Sequence, residues 1–250
     1  MSYKISSYIW PLNITAILKI LLYTGIFSTL LPLVFFLLFK KNNKEKELRV
    51  ILFYIIYCII NEALNYYLQS IKSSNVVLVF SSFTVIEYSF FCYFIFLILP
   101  KKLIKKSIPF IWIAFLLFAA IDFFYINKTE KFDSFASGIE SIIIILLCIY
   151  YLFSQVKISS NLLLYSTFNF WVIIAFLIYF SGTFFLYIMT ENMWEDKAFR
   201  KLYFVINISF NILKNILLCV AMCMKTNDSI KPTPSSLPDL GDEDFFHKNN

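Results

Sequence analysis

A lysine inside the last apolar run of the chain constrains the fold more than any other feature. Residues 202–224, between Lys201 and Lys225, form a run about long enough to span a bilayer as one helix. Lys214 lies near the middle of this run. A lysine in hydrocarbon costs at least about 2.5 kcal/mol on insertion scales unless it faces protein or water. The run therefore predicts a transmembrane helix packed inside a bundle, with a partner for Lys214 on another helix.

The composition indicates the class of protein. Of the 250 residues, 60% are hydrophobic and 15% are charged, whereas soluble domains have about 45–50% and about 25%. Seven apolar runs follow each other, at residues 15–39, 50–70, 76–99, 107–126, 136–153, 167–189 and 202–224. We predict an all-α polytopic membrane protein with about seven transmembrane helices in one bundle over residues 1–225. The lipid bilayer of the inner or plasma membrane is its expected surrounding, and we expect no nucleic-acid partner.

The basic segments predict the orientation of these helices. Lysine-rich segments follow the first and third runs, at residues 40–49 and 100–106. Such segments stay in the cytoplasm, so the N-terminus is predicted outside and the C-terminus inside. Residues 197–201 hold three basic side chains, and this orientation places these residues outside. They therefore count against it. Residues 226–250, rich in proline and acidic side chains, are predicted to be a disordered cytoplasmic tail.

Polar residues within the apolar runs gather between the midplane and the outer surface. At about 1.5 Å of rise per residue, Glu87 and Lys214 fall near the midplane. Intramembrane ionisable residues mark functional sites, so the pattern predicts an outward-facing cavity that binds a small ligand or a proton. The second, third, fifth and seventh helices should line it. The candidate residues are Asn61, Glu62, Asn65, Glu87, Glu140, Asn207, Asn211 and Lys214.

The same residues also permit a purely structural interpretation, in which a buried ion pair and amide hydrogen bonds fix the helix packing. We expect Glu87 to be the partner of Lys214, with Asn211 or Asn61 completing the hydrogen bonds. Glu62 and Glu140 are the alternative partners. In the sixth run, the small residues 181–183 predict the close approach of another helix.

Several catalytic sites are excluded by the sequence. The one histidine, His247, lies in the tail, so neither a three-histidine zinc site nor a serine–histidine dyad can form within the membrane. A lysine in the seventh helix is also found in retinal pigments. In microbial rhodopsins, however, an aspartate precedes that lysine by one turn, and here Phe210 stands in that position. We therefore predict no catalytic residue, no metal ligand and no cofactor.

Six short patterns resemble those of a known group of membrane proteins. They are Asn61-Glu62, Ile86-Glu87, Ile139-Glu140, Phe170-Trp171, Tyr179 with Gly182, and Asn207 with Asn211 and Lys214. In these patterns residues 49–225 resemble small seven-helix bacterial inner-membrane proteins of unassigned role, which are often encoded near sensory kinases and regulators. The resemblance implies a sensor-like protein and carries no catalytic fingerprint.

Two functions remain open on the sequence. The first is a receptor or sensor subunit that binds a small ligand or a proton from outside and passes a helix shift to a cytoplasmic partner. The second is a small carrier or channel for an ion or polar metabolite, and a membrane enzyme comes third. The apolar inner half and the absence of an internal repeat speak against a carrier. A pocket closed at its cytoplasmic end would favour a receptor, whereas a polar route through both halves would favour a carrier.

Overall fold

Seven long helices make up most of the chain that the structure describes. The computed structural model of the chain describes residues 16–39, 45–71, 76–99, 102–126, 134–158, 164–193 and 196–224. Its long helices are α1 (Ala16–Phe39), α2 (Lys46–Ser70), α3 (Val76–Ile98), α4 (Lys102–Ile121), α5 (Ser134–Ile158), α6 (Phe168–Met193) and α7 (Lys197–Cys223). A π-helical turn, Asp122–Ile126, continues α4, and a 3-10 turn, Leu164–Ser166, precedes α6. The described residues contain no β-strand, and the predicted tail lies outside them.

Six of these helices are long and apolar enough to cross a membrane: α1, α3, α4, α5, α6 and α7. The chain therefore has the helices of a membrane protein, as its composition predicts. The helix not in this group, α2, begins with Lys46 and Glu47 and carries the polar stripe that includes Asn61 and Asn65. Such side chains must face protein or water wherever lipid surrounds the helix.

Six helices close a ring, and α4 packs on its side. Around the ring, α1 packs against α2 and α7, α2 against α3, α3 against α5, α5 against α6, and α6 against α7. α4 packs against α3 and α5 without entering the ring. Side chains that point from the six ring helices toward the common axis can therefore meet one another.

Three helices begin earlier than the apolar runs predict. α2 begins at Lys46, α4 at Lys102 and α7 at Lys197, each four or five residues before the expected start. Lysine, arginine and glutamate are good helix formers, so they continue these helices beyond the apolar part. The apolar runs leave residues 100–106 and 154–166 as connecting segments. This interpretation is wrong for 102–106 and 154–158, which are helical, and for the 3-10 turn at 164–166.

An apolar core fills the half of the bundle where α2 and α4 begin. It is built from the first halves of α2 and α6, the second halves of α3, α5 and α7, and the buried side chains of α4. Its large, fully buried side chains include Ile51, Phe91, Phe94, Tyr151, Phe168 and Phe176. The other half holds a small second cluster made of Leu186, Tyr187, Phe199 and Tyr203. In that half, polar side chains share the space near the ring axis with aromatic and aliphatic ones.

Gly182 allows the close contact between α6 and α7. A Cβ atom at this position would overlap the ring of Phe210 on α7. At Gly138 on α5, by contrast, a Cβ atom would lie 3.5 Å from the side chain of Ile188, which is ordinary van der Waals contact. The close approach predicted for residues 181–183 is thus made at the glycine.

We expect Gly182→Ala to destabilise the protein and Gly138→Ala to leave its stability nearly unchanged. The added methyl at residue 182 forces the Phe210 ring to move, and overpacking of this kind typically costs about 1–3 kcal/mol. Thermal unfolding of both variants in the same detergent measures the difference. Equal unfolding midpoints would contradict the tight α6–α7 contact.

A polar cavity as the candidate functional site

A cavity of about 280 Å³ lies on the ring axis. All six ring helices line it, and α4 contributes no lining residue. The prediction named four of these helices and missed α1 and α6. The eight candidate residues, Asn61, Glu62, Asn65, Glu87, Glu140, Asn207, Asn211 and Lys214, all line this one cavity. The structure thus brings the predicted set together, while ligand binding by these residues stays a prediction.

The cavity occupies one half of the bundle. On α2 its lining runs from Cys58 to Tyr66, in the second half of the helix, and on α3 from Phe80 to Glu87, in the first half. Tyr66 is 66% exposed and also lines the cavity, so the cavity reaches the surface at that end. The lysine-rich starts of α2 and α4 lie at the opposite end.

The bottom of the cavity is a buried triad formed by Lys214, Glu87 and Tyr54. The Nζ atom of Lys214 lies 3.7 Å from Oε1 of Glu87, and both side chains are only 4% exposed. The hydroxyl of Tyr54 donates to the same Oε1 at 2.6 Å and accepts from Lys214 Nζ at 2.8 Å. The predicted pair of Glu87 and Lys214 is therefore confirmed. We call these three residues the floor triad.

The prediction was wrong about the group that completes the triad. It named Asn211 or Asn61, whereas the hydroxyl of Tyr54 takes this position. α3 and α7 are not neighbours in the ring, so long side chains must bridge the axis, and tyrosine reaches farther than asparagine. Tyr54 precedes Asn61 by seven residues and therefore shares its helix face, which is a signal that the sequence already contains.

Tyrosines of α6 continue the polar lining from the floor triad toward the open end of the cavity. Lys214 Nζ lies 4.3 Å from the centroid of the Tyr179 ring, in a cation–π contact. The Tyr179 hydroxyl lies 3.3 Å from that of Tyr187, which accepts from Nδ2 of Asn207 at 3.4 Å. Sequence reasoning missed these tyrosines because an aromatic residue in an apolar run is usually a packing residue.

A second network joins α1, α2 and α7 around Asn215. Its Nδ2 atom donates to Ser28 Oγ at 2.9 Å and to Thr29 Oγ1 at 3.3 Å. Thr29 in turn donates to Oε1 of Glu62 at 2.8 Å. Glu62 is thereby connected through α1 to Asn215, the neighbour of Lys214 in the chain. Sequence analysis assigned no candidate role to Ser28, Thr29 or Asn215.

The remaining walls hold a hydroxyl pair and a buried amide. Thr84 on α3 and Ser137 on α5 lie 3.2 Å apart through their hydroxyl oxygens, and both line the cavity. Asn65 is 8% exposed, and its buried Oδ1 has no hydrogen-bond donor among the residues that the structure describes. Buried acceptors are almost always satisfied, so this oxygen is available to a donor in the cavity, a water molecule included.

The lining combines carboxylates, amides and aromatic rings. In the described ranges, no three His, Cys, Asp or Glu side chains are grouped as a metal ion would require.

Comparison of the chain with protein-family models, curated proteins and solved structures finds no match. The similarity to small seven-helix inner-membrane proteins therefore stays an interpretation of the sequence.

Removing one member of the floor triad should destabilise the protein more than removing the whole ion pair. Lys214→Met leaves Glu87 buried without its cation, which typically costs about 3–5 kcal/mol, whereas replacing both charges can be nearly neutral. We therefore expect Lys214→Met to lower the unfolding midpoint and the double variant Lys214→Met with Glu87→Gln to recover most of the loss.

Lys106→Met serves as the matched control, because Lys106 is exposed at the start of α4. Its unfolding midpoint should equal that of the parent protein. A double variant that is no more stable than Lys214→Met alone would show that Glu87 and Lys214 do not stabilise each other.

Proposed function

We propose that the protein is a seven-helix receptor or sensor subunit of the inner or plasma membrane. It takes a small ligand or a proton into the polar cavity from outside and passes a helix shift to a cytoplasmic partner. In this proposal α2 crosses the membrane with the other six long helices, and its polar stripe faces the cavity instead of lipid.

The observation that carries the proposal is that the cavity ends at the floor triad. Beneath it, the Phe176 ring lies 5.3 Å from the Tyr54 ring and 4.9 Å from the Phe91 ring, measured between centroids. Beyond this aromatic layer lies the apolar core. A site with one entrance and an apolar far end suits a receptor, whereas a carrier needs access from both sides.

The charge at the helix ends supports an outward cavity. Lys46, Arg49, Lys105 and Lys106 lie at the end away from it, and basic residues favour the cytoplasmic side. The basic start of α7 lies at the cavity end and works against this orientation, as the sequence also indicates. With Lys102 included, five basic residues near the starts of α2 and α4 outnumber the three at the start of α7.

A helix shift can reach the cytoplasm through α7. Lys214 and Asn215 connect α7 to α1, α2 and α3 through the floor triad and the Asn215 network. A ligand or proton that changes the charge balance near Glu62 or Glu87 would change the hydrogen bonds that hold α7. Because α7 leads into residues 226–250, its movement would be passed to the tail.

Accessibility of one cysteine separates a receptor from a carrier. With all five native cysteines replaced, Asn211→Cys places a thiol in the cavity wall one turn from Lys214. We expect a membrane-impermeant thiol reagent to modify it only from the outer side, because the floor triad and the aromatic layer close the other end. Labelling in oppositely oriented membrane vesicles measures this.

Arg49→Cys in the same background is the control for orientation, since Arg49 is exposed on α2 at the lysine-rich end. It should react only from the cytoplasmic side. Modification of Asn211→Cys from both sides would contradict the proposed receptor and favour a carrier. Modification of Arg49→Cys from outside would overturn the orientation.

The proposed cytoplasmic partner is tested on the tail. Deleting residues 239–244, the acidic part of the tail, should abolish signalling and leave the amount of protein in the membrane unchanged, because the helices do not need the tail to insert. A reporter of the partner's activity and an immunoblot of the membrane fraction provide the two measurements. Normal signalling after the deletion would exclude the tail as the docking segment.

A further inference from the structure

We propose that the ligand of the cavity is a small organic cation with a primary ammonium group and a short apolar chain. This inference rests on the proposed function, in which the cavity is the ligand site, and it adds the chemical class of the ligand. Three separate features of the lining carry it: the balance of charges, the aromatic walls and a buried acceptor without a donor.

The charges that line the cavity are mostly acidic. Glu62, Glu87 and Glu140 line it together with one basic residue, Lys214. Lys214 is already engaged with Glu87 and with the Tyr54 hydroxyl, so it is not available to a ligand anion. Glu62 receives a hydrogen bond from the neutral hydroxyl of Thr29. A cationic ligand is the charge-complementary occupant of such a site.

Aromatic rings form much of the remaining wall. The lining aromatic residues are Tyr66, Phe80, Phe83, Tyr179, Tyr187, Tyr203 and Phe204. Ring faces attract ammonium groups more strongly when water is excluded. The protein already uses this chemistry once, because the Lys214 ammonium lies over the rings of Tyr179 and Tyr54 at 4.3 and 5.4 Å from their centroids.

The buried acceptor places the ammonium group on α2. Asn65 and Glu62 are three residues apart and are therefore neighbours on one face of the helix. Oδ1 of Asn65 is buried without a donor in the described part of the chain, and the Glu62 carboxylate has further acceptor capacity. A primary ammonium carries three N–H donors, so one group can satisfy both residues.

The size of the cavity limits the ligand. A volume of about 280 Å³ is close to the lower end of the range for small-molecule sites, about 300–1,000 Å³. A short alkyl or aryl chain would lie against the aromatic walls while its ammonium group contacts Glu62 and Asn65. We therefore expect simple alkylammonium ions to be the smallest sufficient probes.

The first experiment compares probes that differ only in the polar head. n-Butylammonium, 1-butanol and pentanoate share the same butyl chain and are positive, neutral and negative at neutral pH. Isothermal titration into the full-length protein in nanodiscs, with empty nanodiscs subtracted, measures their affinities. We expect saturable binding of butylammonium and at least about tenfold weaker binding of the other two, because only the ammonium complements the charge of the Glu62 carboxylate.

The second experiment uses variants of α2. Glu62→Gln should weaken butylammonium binding by at least about tenfold, because it removes the negative charge. Asn65→Leu should weaken it measurably, because it removes the buried acceptor. Glu47→Gln is the matched control, since Glu47 lies on the same helix in its first turn and does not line the cavity. It should leave the affinity unchanged.

Three results would overturn the inference: equal or tighter binding of the alcohol or the carboxylate, butylammonium binding that Glu62→Gln does not weaken, or no saturable binding of the amine. An error in the proposed ligand class can be distinguished from an error in the proposed receptor function. One-sided labelling of Asn211→Cys without amine binding rejects the ligand class alone, whereas two-sided labelling with amine binding rejects the receptor alone.

Discussion

The bundle depends on the burial of one lysine among three helices. Lys214 is 3% exposed, and its ammonium group would be costly in lipid without a partner. Glu87 and Tyr54 supply that partner from α3 and α2. Because α3 and α7 are not adjacent in the ring, the triad crosses the ring axis. It connects α7 to α2 and α3, neither of which is a neighbour of α7 in the ring.

The cavity follows from this arrangement. Polar side chains inside a membrane protein must face one another or water, and the sequence places them toward one end of the helices. The apolar residues at the other end pack into a continuous core around Phe91 and Phe176. Polar side chains require hydrogen-bond partners, whereas apolar side chains require close packing. The same chain therefore forms a polar cavity on one side of the floor triad and an apolar core on the other.

Much of this could be predicted from the sequence, and the remainder could not for physical reasons. Helix spacing and burial cost indicate that Glu87 and Lys214 meet, because both lie near mid-depth and neither tolerates lipid. The role of Tyr54 depends on the distance between α3 and α7 across the ring. This distance cannot be read from the sequence of any single helix. Asn215 and Thr29 were missed because their hydrogen bonds depend on α1 packing against α7. Element ends differed where charged residues continued a helix beyond its apolar part.

The most direct measurement of the central interaction is the distance between the Lys214 ammonium nitrogen and the Glu87 carboxyl carbon in a bilayer. Solid-state NMR dephasing between ¹⁵Nζ-labelled lysine and ¹³Cδ-labelled glutamate reports it, and the difference from Lys214→Met isolates this pair. We expect a short contact, consistent with 3.7 Å between Nζ and Oε1, which disappears in the Lys214→Met variant. Identical dephasing in the parent protein and in Lys214→Met would mean that the Lys214 nitrogen lies more than about 6 Å from every glutamate carboxylate. That result would contradict the buried ion pair.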